Sequence, residues 1–269
     1  MFTKLLKYEW RATRGMLGTL CLICLAASLL GGGTMRYLVQ ASTQDAHQNV
    51  FVVLNVLAMV AAIIAVAVIG VAALFLLIGR FYRSRFTDEG YLTFTLPVNT
   101  HQNLLSSMVN SAIGMVIIFV VICFCILLWL GIGFSGIDGF YKTLWEVFPR
   151  LWEEFGKALA QIRFRYAVLL LLNFLCSFAC ELVVLMLSVT IGSIIAKKHK
   201  ILAAVGVYYG IHVAISMVTS AILAMQAIAA EGVEMFFSFQ SISAVQMTVI
   251  AVAGYFLMYW LVDRKLNLN

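Results

Sequence analysis

Apolar residues run through this 269-residue chain in stretches too long for a soluble fold. Six of them, at about 16–39, 50–79, 104–135, 166–196, 201–228 and 241–262, each exceed the roughly 20 apolar residues that cross a hydrocarbon core. Lipid offers no partner to a backbone N–H or C=O, so such segments must satisfy themselves as helices. Hydrophobic residues make up 63% of the chain and charged ones 11%, against about 45–50% and about 25% in a soluble domain. The expected fold is therefore an all-α membrane protein with six transmembrane helices in one transmembrane domain. The runs leave no room for an appended soluble catalytic domain.

Charge then orders the connections. A net charge of +6 would suit nucleic acid, but topology explains it better and no nucleic-acid partner is expected. Lys4, Lys7, Arg11 and Arg14 precede the first span, and Arg80, Arg83 and Arg85 follow the second. Lys197, Lys198 and Lys200 lie between the fourth and fifth, and Arg264 and Lys265 follow the sixth. The opposite connections carry Arg36, a mixed-charge segment, and the acids Glu231 and Glu234. By the positive-inside rule both termini are cytoplasmic, and an even number of spans agrees by placing them on one side.

The first residues fit a secretory signal only loosely. Phe2, Leu5, Leu6 and Trp10 recur at helical spacing among Lys4, Lys7 and Arg11, which reads as an interfacial amphipathic helix over 1–14 that feeds the first span. The six cysteines, Cys21, Cys24, Cys123, Cys125, Cys176 and Cys180, fall inside spans. Cys21 and Cys24 have redox-motif spacing, but in a lipid-facing helix we read them as small apolar residues, with no disulfide framework.

Two connections carry patterns of their own. In 136–165, Tyr141, Leu144, Phe148, Leu151, Trp152, Phe155, Leu159 and Ile162 recur every three or four residues, with charged residues between. This predicts an amphipathic helical region on the outer side, interrupted near Pro149, with Trp145 and Trp152 suited to the membrane–water interface. It reads as a helix lying on the headgroups, or else as an external gate. In 80–103, Pro97 disfavours helix at Leu96 and pushes the chain extended, and Asn99 with Gln102 matches a capping box that starts the third span. Thr87, Asp88 and Glu89 suit the start of a short helix. The segment is expected to be a compact elbow.

Reactive chemistry is sparse. Gly133-Phe134-Ser135-Gly136 matches the GxSG pattern of rhomboid intramembrane proteases, but a serine nucleophile needs a base and the last span holds no histidine. No HExxH stretch supports a zinc protease, and no metal site is expected. Glu181 stands out in CSFACELVVLML, since an intramembrane carboxylate is costly and normally faces a bundle interior or a water-filled cavity. His212 lies at similar depth in the next span. A tight turn joins the two helices, so Glu181 and His212 are expected to approach each other, as a structural hydrogen bond, a polar patch in a substrate path or a proton-coupled pair.

Several of these elements occur together: KLLKYEWRATRG at the start, six spans with both ends inside, DEGYLTFTLPVNTHQNLL between spans two and three, and KKHKIL between spans four and five. The whole resembles the permease subunit of an ABC-2-type ABC transporter, of the type V exporter fold and the small stand-alone kind from Gram-positive bacteria. The resemblance covers nearly the whole chain, and the second-to-third connection is its most specific part. It implies that the N-terminal helix lies along the inner membrane face and that 80–103 is the coupling segment that docks on an ABC ATPase subunit. The docking residues would lie among Arg83, Arg85, Phe86, Asp88, Glu89, Gly90 and Tyr91, with 197–200 as a lesser contact. The segment 136–165 is longer than the family leads one to expect.

With no GxxxxGK[ST] stretch, this chain cannot cradle nucleotide phosphates, so ATP and Mg would sit on the partner subunit and the chain is not itself an enzyme. The resemblance further implies a second permease subunit, identical or homologous, an amphipathic or apolar substrate (peptide, lipid or drug-like), and the bacterial cytoplasmic membrane. The competing readings are a stand-alone secondary carrier or channel, and a non-transport membrane scaffold or sensor subunit.

Overall fold

A computed structural model describes residues 2–43, 50–87, 99–137, 139–161, 164–196, 198–229 and 232–265. Among the described residues the chain is entirely helical, with no strands: α1 (Phe2–Thr43), α2 (Val50–Phe86), α3 (Thr100–Phe134), α4 (Phe140–Gln161), α5 (Phe164–Ile195), α6 (Lys200–Ala229) and α7 (Gly232–Lys265). All but α4 are long and apolar enough to cross a membrane. This is a multi-pass membrane protein with six candidate transmembrane helices.

The helices overshoot the apolar runs. α1 continues unbroken from Phe2 for 42 residues, about 63 Å at helical rise, roughly twice a hydrocarbon core of about 30 Å. No break separates the basic first turns from the apolar part, where a separate helix over 1–14 was expected. α2 likewise runs to Phe86, beyond the apolar span that ends near residue 79. Once an α-helix is nucleated each added residue gains a backbone bond, so the helix does not stop where the apolar run stops.

α4 differs from the rest. It runs unbroken through Pro149, where an interruption was expected, and every residue from Tyr141 to Lys157 is exposed. The proline removes the donor to the carbonyl of Trp145. On a helix exposed all round, that carbonyl can take a partner from the surroundings, so the break is not forced.

The chain divides into two compact units. One comprises Met1–Leu6, Ile78–Val109 and Ala160–Asn269. Its frame is α5, packed most extensively on α7 and next on α6. Phe81, Leu104, Met186, Leu187, Val189, Met258 and Val262 form its buried core, so the last turns of α2 and the first turns of α3 share a core with α5 and α7. At Gly192 a Cβ would lie 2.5 Å from the backbone nitrogen of Ala204. Glycine is what lets α5 and α6 approach to backbone contact there, as small residues do at helix crossings in lipid.

The other unit comprises Lys7–Leu77 and Asn110–Leu159. In it α1, α2 and α3 meet around buried Cys24, Ile69 and Cys125. A Cβ at Gly31 would meet the Trp129 ring at 2.7 Å, so the indole of α3 seats directly on the backbone of α1. Buried Thr13 and Asn110 add a polar tie between the same helices, Asn110 Nδ2 donating to Thr13 Oγ1 at 3.1 Å. All six cysteines are free, and Cys24, Cys125 and Cys180 are buried.

Candidate functional site

Two sets of side chains within the first unit hold polar groups in defined places. The first surrounds the helix ends that lead into 88–98. Arg85, in the last turn of α2, is 0% exposed. Its Nη2 donates to the carbonyl and to Oδ1 of Asn103 at 2.6 and 2.9 Å, and its Nη1 to Ser84 Oγ at 2.8 Å. The guanidinium lies 4.9 Å from the centroid of the Phe81 ring, within cation–π range. A buried charge is tolerated only when it is hydrogen-bonded, and the planar, multiply donating guanidinium can reach a backbone and a side-chain oxygen of Asn103 together. Ser106 Oγ donates to the same Asn103 carbonyl at 2.8 Å.

The start of α3 is tied a second time. Asn99 precedes the helix and its carbonyl accepts the N–H of Asn103 at 3.1 Å. Thr100 Oγ1 donates to Asp263 Oδ1 at 3.3 Å, and His101 Nδ1 meets the Tyr255 hydroxyl. The His101 ring also stands edge-on to Tyr259 at 5.8 Å. The end of α2, the start of α3 and the end of α7 are thus pinned together by side chains.

The expected docking residues fall differently on this frame. Arg83 is exposed. Arg85 is spent inside the unit and presents no guanidinium surface. Phe86 is partly buried, stacked on Tyr82 with ring centroids 5.9 Å apart. Thr87, read from sequence as a helix start, instead closes α2: its hydroxyl donates to the Arg83 carbonyl at 2.6 Å. Asp88, Glu89, Gly90 and Tyr91 lie outside the described residues, as does Lys197 in the α5–α6 turn.

The second set lies midway along α5 and α6. Glu181 and His212 are brought together, with His212 Nε2 3.4 Å from Glu181 Oε2. That is ion-pair range, though the imidazole is not aligned for a hydrogen bond. Tyr208 supplies the aligned donor, its hydroxyl lying 2.6 Å from Glu181 Oε1. Tyr208 and His212 share a face because they are four residues apart on one helix, and their ring centroids are 4.4 Å apart. The side chains of His212 and Glu181 remain 35% and 39% exposed.

Further hydrogen bonds extend this polar seam. Ser177 Oγ donates to Asn173 Oδ1 at 3.1 Å, and Asn173 Nδ2 to the Gln240 carbonyl at 2.8 Å. Gln246 Nε2 donates to Thr219 Oγ1 at 3.0 Å. These bonds join α5, α6 and α7, and such groups act as glue in helix bundles in lipid.

Sequence reading missed Tyr208, Asn103, His101 and Asp263. Tyr208 carried a signal, a hydroxyl-bearing ring one turn before His212. The Arg85–Asn103 and Thr100–Asp263 pairs carried none, since each joins different helices. The rhomboid-like Ser135 is occupied by its own backbone, donating to the Ile132 carbonyl at 2.6 Å. Among the described residues no group of three or more His, Cys, Asp or Glu side chains could hold a metal ion. No protein family's sequence profile matches the chain, and neither does any curated protein or solved structure.

Proposed function

We propose that this chain is the permease subunit of an ABC exporter of the ABC-2 type, working with a separate ATPase subunit and a second permease subunit. The observation that carries the reading is the pinned set of helix ends around 88–98. A coupling segment must transmit a push, and a segment hung on loose ends would absorb it. Here the helix on each side of the segment is tied to its neighbour through Arg85 and Asn103, and α3 is tied to α7 through Thr100, His101, Asp263 and Tyr255. Force on 88–98 would reach three helices at once.

In this reading both termini and 88–98 face the cytoplasm of a bacterial cell, the basic first turns of α1 extend from the span on the inner side, and α4 rests on the outer headgroups. Asp88, Glu89 and Tyr91, with exposed Arg83, form the docking surface, and Arg85 positions it from within. ATP and Mg belong to the ATPase. Charge on such a surface favours the right partner more than it adds raw affinity. The substrate is amphipathic or apolar, because the spans carry few ionisable groups.

Affinity purification from native membranes tests the reading. An ATPase subunit is expected to co-purify with the wild-type chain. Asp88→Arg with Glu89→Arg should abolish that association while membrane insertion stays intact. Absence of any ATPase from the wild-type complex overturns it. The Glu181–His212 contact favours a second reading, a proton-linked carrier that works alone. That reading requires transport into proteoliposomes holding this chain only, driven by a pH gradient and abolished by Glu181→Gln.

A further inference from the structure

We infer that Glu181, Tyr208 and His212 form a binding site for a lipophilic organic cation. An ionised carboxylate offers about four acceptor positions. Tyr208 fills one at 2.6 Å, and His212 approaches the other oxygen at 3.4 Å without the alignment of a hydrogen bond. With the Glu181 side chain 39% exposed, acceptor capacity remains on its open side. Glu181 lies midway along a candidate membrane-spanning helix, at a depth where a charge is costly. A carboxylate held there by one hydroxyl and one imidazole is only partly compensated, and a further positive charge lowers the remaining cost.

The surroundings select an organic cation. Among the described residues no cluster could hold a metal ion, and one carboxylate beside one imidazole is too few ligands for a hard divalent ion. The site instead offers aromatic faces. Tyr209 meets Tyr208 edge-on with centroids 5.7 Å apart and is 64% exposed. Aromatic rings attract an ammonium or phosphonium through their quadrupole. Val213 on α6 and Phe174 on α5 add exposed apolar surface on the same stretches of helix. A cation with an apolar body satisfies both demands, and it reaches this depth from the bilayer where a hydrated ion would not.

The inference names a substrate class for the permease reading, and its physiological meaning rests on that reading, but the binding itself needs no ATPase. It is tested on the purified, full-length chain alone in phosphatidylcholine nanodiscs, with tetraphenylphosphonium as the probe and neutral triphenylphosphine oxide as the uncharged control. Saturable binding of the cation is expected, with little binding of the neutral compound. Glu181→Gln should weaken the cation at least tenfold. Glu181→Asp should retain part of the affinity, and Tyr208→Phe should lose a few-fold. An unchanged melting temperature and gel-filtration profile establish that the variants are folded, and the Asp variant supplies a conservative rescue if the Gln variant is not. Equal binding of the cation by wild type and Glu181→Gln, equal binding of the neutral compound, or no saturable binding by folded wild type overturns the inference. Because no ATPase is present, these outcomes are independent of whether one co-purifies from native membranes.

Discussion

Two arginines two residues apart, Arg83 and Arg85, end in opposite environments. Arg83 is exposed, whereas Arg85 is 0% exposed and bonded to Asn103 and Ser84. Arg85→Ala would leave the Asn103 Oδ1 acceptor without its donor in a buried place, at about 1–3 kcal/mol, and would open a void besides. Arg83→Ala should cost less, no more than the about 1 kcal/mol that an exposed charged contact contributes. A thiol-reactive thermal melt, which uses the buried free cysteines, should show a clear fall for the first variant and a smaller one for the second. Gly192 gives a similar contrast. Gly192→Ala drives a Cβ against the backbone of Ala204 and should destabilise by about 1–3 kcal/mol, the usual range for overpacking. Gly206→Ala, on the same helix pair but with nothing within 4 Å of the added carbon, should cost nothing and raise the melt slightly, by about 0.4–1 kcal/mol of backbone entropy and helix propensity.

At the scale of elements, α4 and the first turns of α3 make the sharpest claims. α4 is exposed from Tyr141 to Lys157 and has an apolar stripe containing Tyr141, Leu144, Phe148, Leu151 and Phe155. Such a helix gains by laying its stripe at the headgroup boundary, where Trp145 and Trp152 also prefer to sit. With Trp10, Trp129 and Trp260 changed to Phe, the two remaining indoles should be quenched strongly by lipids brominated near the headgroup and weakly by those brominated at the chain end. No quenching by either would remove α4 from the membrane surface. For α3, the tie to α7 runs through the His101–Tyr255 and Thr100–Asp263 contacts. His101→Ala with Asp263→Ala should raise amide hydrogen exchange over the last two turns of α7. Exchange near the middle of α5 should stay as it was.

For the whole molecule, the six candidate spans and the all-helical class were legible because lipid imposes one demand on every residue of a span, and composition alone reports it. Amphipathic character along 140–161 was legible for a related reason, since a period of 3.6 is local. The start of α3 at Thr100, directly after Asn99, was also local. What could not be read was which polar residues meet. Of the mid-span pair, Glu181 and His212 were expected to approach because a short turn makes α5 and α6 neighbours. Tyr208 entered only with the actual rotation of α6. The fate of Arg85 was hidden altogether, because a basic residue at a helix end looks the same whether it faces a partner or a core. The paired reversal Asp88→Arg with Glu89→Arg belongs at this scale too. It should separate the chain from an ATPase without changing its melt, which distinguishes a docking surface from the interior clamp beside it.

The chain's own letters therefore determined where helices must form and that they belong in a bilayer, because the backbone's need for hydrogen bonds in lipid depends on no neighbour. Only the tertiary structure decided which charges are buried and which remain open. A guanidinium or carboxylate takes its energy from what other helices bring within about 3 Å, and that is set by helix rotation and close packing. Arg85 became a clamp because Asn103 was delivered to it. Glu181 became a half-open carboxylate because Tyr208 and His212 satisfy part of it and leave the rest exposed.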